Sequence, residues 1–406
     1  MKPQTSPDPL AWTRADFPLL RRSLDDCPLT YLDSASTTPK PDCVIDAVTR
    51  FYREHTANVH RGVHVLSEET TDAFERARQE VASFINASPA EIVFTRNSTE
   101  GINLVAHGLR LNEADEVVIT ALEHHSNFLP WRLHARAVPV GLGPDGTPLY
   151  EEINARLSPR TRLVSLAHVS NTLGVEAPVQ SWIAAARERG IPILLDASQS
   201  ASHLPLDVKA LDCDFLVFSG HKLLGPSGIG VLYGKRERLE ALRPYQVGGG
   251  MVKRHGDDTY ALQDIPWRFE AGTPNIEGAI GLGAAVAYLR RIGMDAVHSH
   301  SLDLGRHLVE QLESIPNTEI LGRSVPLEHR LGLATFVVKA AGLGQENVAR
   351  LLCDRYQILV SGGFHCAHIL HDRMRLDGTV RASTHVFNTR NDIDLLAGAI
   401  REIAEG

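Results

Sequence analysis

Short apolar runs alternate with amphipathic stretches from about Tyr31 to Leu232. The apolar runs predict strands over residues 91–95, 116–120, 137–141, 162–168, 191–197, 215–219 and 229–233. The amphipathic stretches predict helices over residues 42–54, 69–85, 99–108, 127–135 and 179–188. Strand–helix alternation implies a mostly parallel sheet covered on both faces, so the pattern predicts an α/β fold.

The pattern changes after Pro244. Residues 244–273 are polar and glycine-rich and too long for an ordinary connection, so they predict a loop that is mobile or contributes to a site, in this or a neighbouring subunit. The elements predicted beyond it are helices over 274–291, 296–314 and 346–356, strands over 333–338 and 380–383, and a closing helix over 392–405. We therefore expect an N-terminal segment (1–30), a large domain with the seven-stranded sheet (31–290) and a smaller α+β C-terminal domain (291–406).

Composition agrees with this division. A chain of 406 residues is too long for one ordinary core, and 43% hydrophobic with 22% charged residues describes a soluble globular protein. The net charge of −8 argues against a nucleic-acid partner, and no apolar run is long enough to span a membrane. The five cysteines are odd in number and unpatterned, so no disulfide framework is expected and a reducing cytoplasm is the predicted location.

The most informative stretch is residues 215–230, where a buried-strand pattern ends in Ser219-Gly220-His221-Lys222 before a glycine-rich loop. A lysine at the mouth of a buried strand is poorly solvated, so its free amine is available to form a Schiff base. A second apolar strand ends in Asp196, and ligands of open α/β sheets bind at such strand ends. Either residue alone is explained by a helix cap or a solvated loop lysine. Together they form the pattern of a pyridoxal phosphate (PLP) enzyme.

A strand-to-helix junction over residues 95–100 is a candidate phosphate site. Asn97 and Glu100 have capping-box spacing, with the hydroxyls of Ser98 and Thr99 between them. A helix N-terminus binds phosphate through its free N–H groups, although this motif alone is also that of an ordinary capped helix. Further candidate phosphate donors are Ser219 and His221.

The pair His124-His125 follows another strand end. An imidazole there can stack on an aromatic cofactor or act as an acid–base group near neutral pH. Adjacent histidines on a helix do not share a face, so a joint metal site is not predicted. The alternative is a pair of surface residues at the start of a helix.

A glycine-rich loop near the C-terminus carries Cys366 beside His365. We expect this cysteine to be mobile and partly ionised, because buried, inert cysteines seldom lie on Gly-Gly loops. A zinc site built from Cys366 with His365, His368 and His371 is the alternative, but its spacing matches no common zinc pattern. Fifteen residues on, Arg381 is placed to clamp a substrate carboxylate.

Further motifs accompany these, in order: Tyr31-Leu32-Asp33-Ser34-Ala35, His60-Arg61-Gly62, Thr99-Glu100-Gly101-Ile102-Asn103, Glu123-His124-His125, His168-Val169-Ser170-Asn171, Ser219-Gly220-His221-Lys222, Phe269-Glu270-Ala271-Gly272-Thr273-Pro274-Asn275 and His365-Cys366-Ala367 with Arg381-Ala382-Ser383. Over nearly its whole length the chain resembles the fold-type I PLP enzymes of aminotransferase class V. Within them it is most similar to the SufS-type (group II) cysteine desulfurases and selenocysteine lyases.

The resemblance implies a catalytic role for three residues: Lys222 as Schiff-base lysine and general base, His124 stacked on the cofactor ring, and Cys366 as nucleophile. The other cofactor ligands that it implies are Asp196 on the pyridine nitrogen, Gln199 on the ring hydroxyl, Asn171, the phosphate ligands Ser98, Thr99, Ser219 and His221, and Thr273 from the other subunit of a homodimer. The substrate ligands that it implies are Asn171 and Arg381 on the carboxylate, with Ser34, Ala35 and Arg61. The implied reaction converts cysteine or selenocysteine to alanine, with sulfur passed from a persulfide on Cys366 to an acceptor protein.

The chain departs from the family pattern around Cys366. SufS-type enzymes read Arg-Thr-Gly-His-His-Cys-Ala, whereas here Ser361 replaces the arginine and Phe364 the first histidine. His368-Ile369 stands where a proline usually follows. Loss of a cation weakens the expectation that cysteine is the preferred substrate.

Two alternatives therefore stay open. One is a divergent class V enzyme, such as a carbon–sulfur lyase, selenocysteine lyase, transaminase or epimerase, in which Cys366 is not the essential nucleophile. The other is a metal-binding or regulatory protein on the same scaffold, against which the intact pair Lys222 and Asp196 argues.

Overall fold

The computed structural model describes residues 8–24, 27–60, 62–339 and 342–405. The α-helices of these residues are α1 (Asp42–Glu54), α2 (Val65–Phe84), α3 (Ser98–Gly108), α4 (Leu129–His134), α5 (Ile153–Arg156), α6 (Val179–Arg187), α7 (Val208–Leu211), α8 (Arg236–Ala241), α9 (Ile276–Ile292), α10 (Met294–Glu313), α11 (Gln345–Tyr356), α12 (His368–Met374) and α13 (Arg390–Glu405). The strands are β1 (Ser23–Leu24), β2 (Cys27–Pro28), β3 (Thr30–Tyr31), β4 (Ile92–Thr95), β5 (Glu116–Thr120), β6 (Arg136–Val140), β7 (Thr161–Ala167), β8 (Ile193–Asp196), β9 (Phe215–Ser219), β10 (Gly230–Gly234), β11 (Val252–His255), β12 (Tyr260–Leu262), β13 (Thr318–Ile320), β14 (Leu333–Val338), β15 (Ile358–Leu359), β16 (Ser361–Gly363) and β17 (Thr379–Ser383).

Seven strands form the central sheet, in the order β4-β10-β9-β8-β7-β5-β6. Strand β10 runs antiparallel to both of its neighbours, and the other adjacent pairs are parallel. Every residue of β4, β5, β8, β9 and β10 is buried, as expected when a sheet is covered on both faces. The predicted mostly parallel, seven-stranded sheet is confirmed.

The order of the strands brings three chemically important chain segments to one edge. Strands β8 and β9 are adjacent and parallel, so Asp196 and Ser219, their last residues, lie at the same edge. The turn Gly220–Lys222 follows β9 directly, and His124 follows β5 at this edge. A ligand at the carboxyl edge therefore meets all of these side chains.

A smaller antiparallel sheet, in the order β13-β14-β17-β16, lies in the C-terminal part of the chain. It packs with α10, α11 and α13 around a second apolar core that includes Leu304, Phe336, Leu352 and Ile400. The predicted boundary at residue 290 falls in the last turn of α9, and the division into domains stays a prediction.

The N-terminal residues pack against the chain just after β17. The hydroxyl of Thr13 donates to the carbonyl of Val386 at 2.9 Å, and the ring of Phe17 lies 4.8 Å from that of Phe387. Residues 8–24 are therefore fixed by contacts with the C-terminal part of the chain, in addition to their own 3₁₀ turns.

Two details differ from the sequence prediction. Residues 244–273, predicted as an irregular loop, contain the antiparallel hairpin β11–β12. Polar, exposed residues dominate this hairpin, so its sequence lacks the apolar alternation that identifies strands. Helix α2 begins four residues before its predicted start, because the side chain of His64 accepts a hydrogen bond from the backbone N of Ser67 and caps it.

Within the described ranges, no helix is both long and apolar enough to cross a membrane. All five cysteines fall in those ranges, and each is a free thiol.

Candidate active site

One cavity of about 440 Å³ lies between the carboxyl edge of the central sheet and the segment that contains β16, β17 and the Cys366 loop. It brings together most of the predicted site residues: Ala35, Ser98, Thr99, His124, Asn171, Asp196, Gln199, Ser219, His221, Lys222, Cys366 and Arg381.

The other three predicted residues are placed differently. Ser34 is buried, and its hydroxyl has no hydrogen-bond partner among the described residues. Thr273 is exposed and lines a separate cavity of about 310 Å³, together with His60 and Trp267. Arg61 lies outside the described residues. Because Thr273 is predicted to reach the cofactor of the other subunit, its absence from the cavity of its own chain leaves that prediction open.

Lys222 and Asp196 lie at the ends of neighbouring segments of the central sheet. Burial lowers the pKa of Lys222 to about 8, although the nearby carboxylate of Asp196 raises it. One oxygen of Asp196 accepts a 2.9 Å hydrogen bond from the backbone N of Ser198. A fraction of Lys222 is therefore free amine near neutral pH, as Schiff-base chemistry needs.

The first turn of α3 forms one wall of the cavity. The side-chain oxygen of Asn97 caps this helix by accepting from the backbone N of Glu100 at 2.9 Å. The Oγ of Ser219 accepts from the backbone N of Ser98 and lies 2.9 Å from Ser98 Oγ, which ties β9 to α3. The predicted capping box is half right, because Glu100 accepts from the backbone N of Arg96 and not from that of Asn97. N–H and hydroxyl groups at this helix end suit a phosphate group.

His124 meets the cavity as a neutral imidazole. Its Nδ1 accepts a 3.1 Å hydrogen bond from the backbone N of Ser126, so the proton of the neutral ring lies on Nε2. Burial, helped by the charge on Lys222, lowers the pKa of His124 to about 3. The Oγ of Ser126 also lies 2.7 Å from Thr99 Oγ1 and links this turn to α3. A fixed, uncharged ring suits stacking on an aromatic cofactor.

The turn that carries Lys222 is held through the backbone of His221. The carbonyl of His221 accepts from the backbone N of Thr38 at 3.0 Å and from Lys40 Nζ at 2.9 Å. Burial lowers the pKa of His221 to about 4 and that of Lys40 to about 8. His221 is therefore a neutral donor on the cavity wall, and Lys40 is a supporting residue that the sequence did not single out.

Arg381 is buried on β17 with its guanidinium fixed. Its Nη2 donates to Ser36 Oγ at 2.7 Å and lies 3.5 Å from Asp33 Oδ1, while Nη1 donates to the carbonyl of Asn171 at 3.0 Å. Burial lowers its pKa, but a guanidinium stays charged in proteins. The side chain of Asn171 donates to the carbonyl of His365 at 2.9 Å, so substrate-binding residues also contact the cysteine loop.

Cys366 is exposed and lines the cavity on a loop whose backbone is fixed at several points. Its carbonyl accepts from the backbone N of His125 at 3.1 Å, and the carbonyl of Ala367 accepts from Nδ1 of His371 at 3.0 Å. His365 and Cys366 are both in the left-handed region, with φ angles of 49° and 57°. These hydrogen bonds define the conformation of the loop, and its expected mobility stays a prediction.

His365 does not supply a positive charge to the thiol. Its Nε2 donates to the carbonyl of Thr379 at 3.2 Å, and burial, helped by the charge on Arg381, lowers its pKa to about 3. Lys222 and Arg381 line the same cavity as Cys366 and supply the positive charge there. In the part of the chain that the structure describes, no group of three or more histidine, cysteine or acidic residues could hold a metal ion.

Glu123 is a supporting residue whose role the sequence did not reveal. Its buried carboxylate accepts hydrogen bonds from the hydroxyl of Thr120, the side chain of Asn127 and the backbone N of Ala167, at 2.7, 2.7 and 3.0 Å. Burial raises its pKa to about 7. Its hydrogen bonds to Asn127 and Ala167 fix the turn of His124 against the end of β7. The sequence feature that could have identified Glu123 is its position, as an acidic residue soon after an apolar strand.

An amine, a carboxylate and a phosphate-binding helix end around one cavity of a seven-stranded sheet define the fold-type I class of PLP enzymes. The chain belongs to the aminotransferase class V family, because the family model described as Aminotransferase class-V matches residues 30–396.

Curated relatives match nearly the whole chain. A probable cysteine desulfurase of Synechocystis sp. is 42% identical over 404 residues, which cover 97% of this chain and 96% of the relative. A cysteine desulfurase of Klebsiella pneumoniae is 42% identical over 407 residues, which cover 96% of this chain and 97% of the relative.

Solved structures agree with this family. The apo structure of a cysteine desulfurase from Thermococcus onnurineus has a TM-score of 0.91 and 37% identity, covering 99% of each chain. The cysteine desulfurase CsdA of Escherichia coli, in an S-sulfonic acid form, has a TM-score of 0.87 and 36% identity, covering 98% of each chain. The resemblance and the fold class inferred from the sequence are confirmed.

Proposed function

We propose that this chain is a PLP-dependent cysteine desulfurase, which converts L-cysteine to L-alanine and takes the sulfur as a persulfide on Cys366. The observation that carries the proposal is that Lys222, Arg381 and Cys366 line one cavity. An amine, a carboxylate-binding guanidinium and a thiol thus surround one amino-acid-sized space. Relatives named as cysteine desulfurases over nearly their whole length support the same activity.

The cavity residues fit PLP. Lys222 offers an amine of lowered pKa, Asp196 a buried acceptor for a protonated ring nitrogen, and Ser98 and Ser219 offer donors to a phosphate. Ser198 adds an independent sign, because its buried Oγ lies in the cavity wall without a partner among the described residues. A buried hydroxyl of this kind is expected to meet a ligand or an ordered water.

PLP, when bound, supplies an electron sink for negative charge at the substrate Cα. Arg381 and Asn171 bind the substrate carboxylate and thereby orient the amino acid in the cavity. The Nζ of Lys222 then takes the proton from Cα, since part of this group is unprotonated near neutral pH.

Cys366 takes the sulfur. Its thiolate attacks the sulfur of the bound cysteine, so an S–S bond forms while the C–S bond breaks. The electron pair of the broken bond stays on the carbon fragment. This fragment takes up one proton at Cβ, regains one at Cα from Lys222 and leaves as alanine. The exposure of Cys366 lets an acceptor protein with a thiol remove the outer sulfur from the persulfide.

Replacement of Cys366 tests this proposal. Cys366→Ala should keep bound PLP but form no persulfide and lose at least about 100-fold of its alanine production from cysteine, because the attacking nucleophile is gone. Cys43→Ala, which removes another exposed thiol, is the matched control and should behave like the wild type. Mass spectrometry of the persulfide, alongside alanine, sulfide and pyruvate assays, gives the result. If the wild type and both variants turn over cysteine at the same rate and none forms a persulfide, the proposal is wrong. A lyase or transaminase activity would then take its place.

We also propose that selenocysteine is a substrate. Ser361 lines the cavity where SufS-type enzymes carry an arginine, so the substrate side chain meets one cation fewer. Conversion of selenocysteine to alanine leaves the electron pair of the C–Se bond on carbon and releases selenium as Se(0). Because the C–Se bond is weaker than the C–S bond, this release depends less on an attacking thiol. Cys366→Ala should therefore keep more of its selenocysteine activity than of its cysteine activity. Alanine assays measure this directly, and dithiothreitol in the assay reduces the released selenium to selenide for detection.

We propose a homodimer in which Thr273 of each chain contributes to the PLP phosphate site of the other. Thr273 is exposed and outside the cavity of its own chain, and Val63 and Tyr260 expose 97% and 69% of their surface. We assign these exposed apolar side chains to the dimer interface, which would use the same surface of both chains. Sedimentation should give twice the chain mass. Val63→Arg should shift the protein toward monomer, and Leu395→Arg, at an exposed leucine, should not.

Two further inferences stay proposals. The free thiols support a reducing, cytoplasmic location, to be checked by fractionation. The separate apolar core around Phe336 supports a C-terminal domain over 291–406, to be checked by limited proteolysis near Gly293.

A further inference from the structure

Three rings stack beside Cys366. The ring of His368 lies between those of Phe364 and His125, with centroid distances of 4.6 and 4.9 Å and interplanar angles of 12° and 28°. Phe364 and His368 lie two residues before and two residues after Cys366, while His125 belongs to the turn that follows β5. The stack therefore connects both sides of the cysteine loop to the turn that also carries His124.

The backbone of the loop needs such support. His365 and Cys366 both have left-handed φ angles, which side chains with a Cβ disfavour. Hydrogen bonds from Asn171 and from the backbone N of His125 hold two carbonyls of this segment. The ring stack links the residues on either side of the thiol, and Phe364 also meets the ring of His371 edge-on at 5.1 Å.

The two loop residues in the stack also lie where the sequence departs from the SufS-type pattern. Phe364 replaces a histidine, and His368 begins the His368-Ile369 pair that stands in place of the usual proline. These two departures contact each other with nearly parallel rings. Because the two side chains are in contact, their effects on the loop are expected to be energetically coupled.

We propose that Phe364 and His368 are positioning residues for Cys366, which act by stacking with His125 and fixing the loop in its left-handed conformation. The proposal deepens the desulfurase function and rests on it for its catalytic consequence. The stack orients the thiol toward the cavity without contacting the substrate. His368 Nδ1 also lies 3.2 Å from His125 Nε2, within hydrogen-bond distance. The proposal assigns the positioning role to the flat ring and not to this hydrogen bond, so a phenyl ring should replace the imidazole.

The test compares His368→Ala, His368→Phe and Phe364→Ala in the PLP-loaded enzyme, with Asp372→Ala as an exposed control on the same helix. We expect both alanine variants at the stack to lower kcat for cysteine by about tenfold, with KM nearly unchanged, because carboxylate binding by Arg381 is intact. His368→Phe should restore kcat. The double alanine variant should be no slower than either single one, since both remove the same stack.

A second readout does not depend on turnover. The rate at which iodoacetamide alkylates Cys366 should rise in His368→Ala and return to the wild-type value in His368→Phe, with Cys27 and Cys43 as internal references. If both alanine variants keep the alkylation rate and the kcat of the wild type, the positioning role is wrong. A wild-type enzyme that turns over cysteine without persulfide would instead refute the desulfurase function, while the alkylation rates would still report whether the stack fixes the loop.

Discussion

Burial decides which side chains of the site are charged. Lys222 keeps a pKa of about 8, and His124 one of about 3, because both groups are desolvated and lie near other positive charge. The site therefore combines a partly neutral amine with a neutral imidazole, while Arg381 remains the fixed cation. Each of these states suits the role proposed for that residue.

Covalent attachment of PLP should follow the titration of Lys222. Because its pKa is lowered to about 8, the free-amine fraction rises between pH 7 and 9. We expect the rate at which the apoenzyme captures added PLP to rise over the same range and then level off, as followed by absorbance. Lys222→Ala should leave no PLP on the protein after borohydride treatment, whereas Lys209→Ala, at an exposed lysine, should behave like the wild type. Covalent PLP in Lys222→Ala would show that another lysine is the attachment site.

Substrate binding should depend on the shape of the guanidinium at Arg381. Its two Nη groups are held by Ser36, Asp33 and the carbonyl of Asn171, so a lysine cannot reproduce the geometry. Arg381→Lys should raise KM for cysteine by about 10- to 100-fold, with a smaller change in kcat. Steady-state kinetics check this, with the exposed Arg373→Lys as control. An unchanged KM would exclude Arg381 as the carboxylate ligand.

At the scale of elements, the phosphate-binding end of the cavity depends on close packing between β10 and the start of α3. Gly230 lies on β10, and a Cβ there would come within 2.5 Å of the Cα of Asn97. At this distance a Cβ would clash with the backbone of Asn97, so the residue that caps α3 would have to move. The wall that holds Ser98 is therefore fixed from behind by a glycine.

Gly230→Ala should displace the first turn of α3 and weaken PLP binding by at least about tenfold, with a lowered melting temperature. Gly398→Ala is the matched control, because Gly398 lies within α13 and a Cβ there would meet nothing within 4 Å. That substitution should stabilise the protein by about 0.5–1 kcal/mol, since alanine loses less backbone freedom in a helix. Fluorescence titration of the apoenzyme and thermal unfolding measure both effects. Equal PLP affinity in the two variants would contradict the packing argument.

The elements that the sequence predicted best are those whose burial follows from their own pattern. Strands β5, β9 and β14 and helix α1 have their predicted bounds, because continuous apolar runs or a clear helical period mark them. The hairpin β11–β12 has no such pattern and was missed. Contacts across the chain could not be predicted from local pattern either: Asp33 and Arg381 are 348 residues apart, and only the folded chain brings them together.

At the scale of the whole molecule, the cavity joins residues from distant parts of the chain. Lys222, Asp196 and His124 lie at the edge of the central sheet, whereas Arg381 and Cys366 come from the C-terminal part. Asn171 and the backbone of His125 hold the two groups together. Assembly of the site therefore requires the central sheet and the small sheet to be folded and in contact.

The same burial should make the enzyme sensitive to acid. Several histidines have folded-state pKa values far below the ordinary 6.5, namely His124, His203, His221, His365 and His385. Unfolding exposes them, so between pH 6.5 and about 4 the unfolded state binds more protons than the folded state. The stability that these histidines contribute is therefore fully present above pH 6.5 and is lost as the pH decreases. Glu123 acts in the opposite direction, because its pKa is raised to about 7 and the folded state binds its proton more tightly.

Burial also raises the pKa of Asp33, which acts in the same direction as Glu123. The five histidines outnumber these two carboxyl groups, so the free energy of unfolding should fall between pH 7.5 and 5.5, on the order of 1 kcal/mol for each buried histidine. Urea unfolding of the PLP-loaded enzyme at the two pH values measures the difference. His203→Gln should reduce the pH dependence, because it removes a titrating group with a pKa of about 4. His255→Gln, at an exposed position, should leave it unchanged. Equal unfolding free energies at both pH values would mean that the buried histidines accept protons in the folded protein, and the neutral ring proposed for His124 would fail with them.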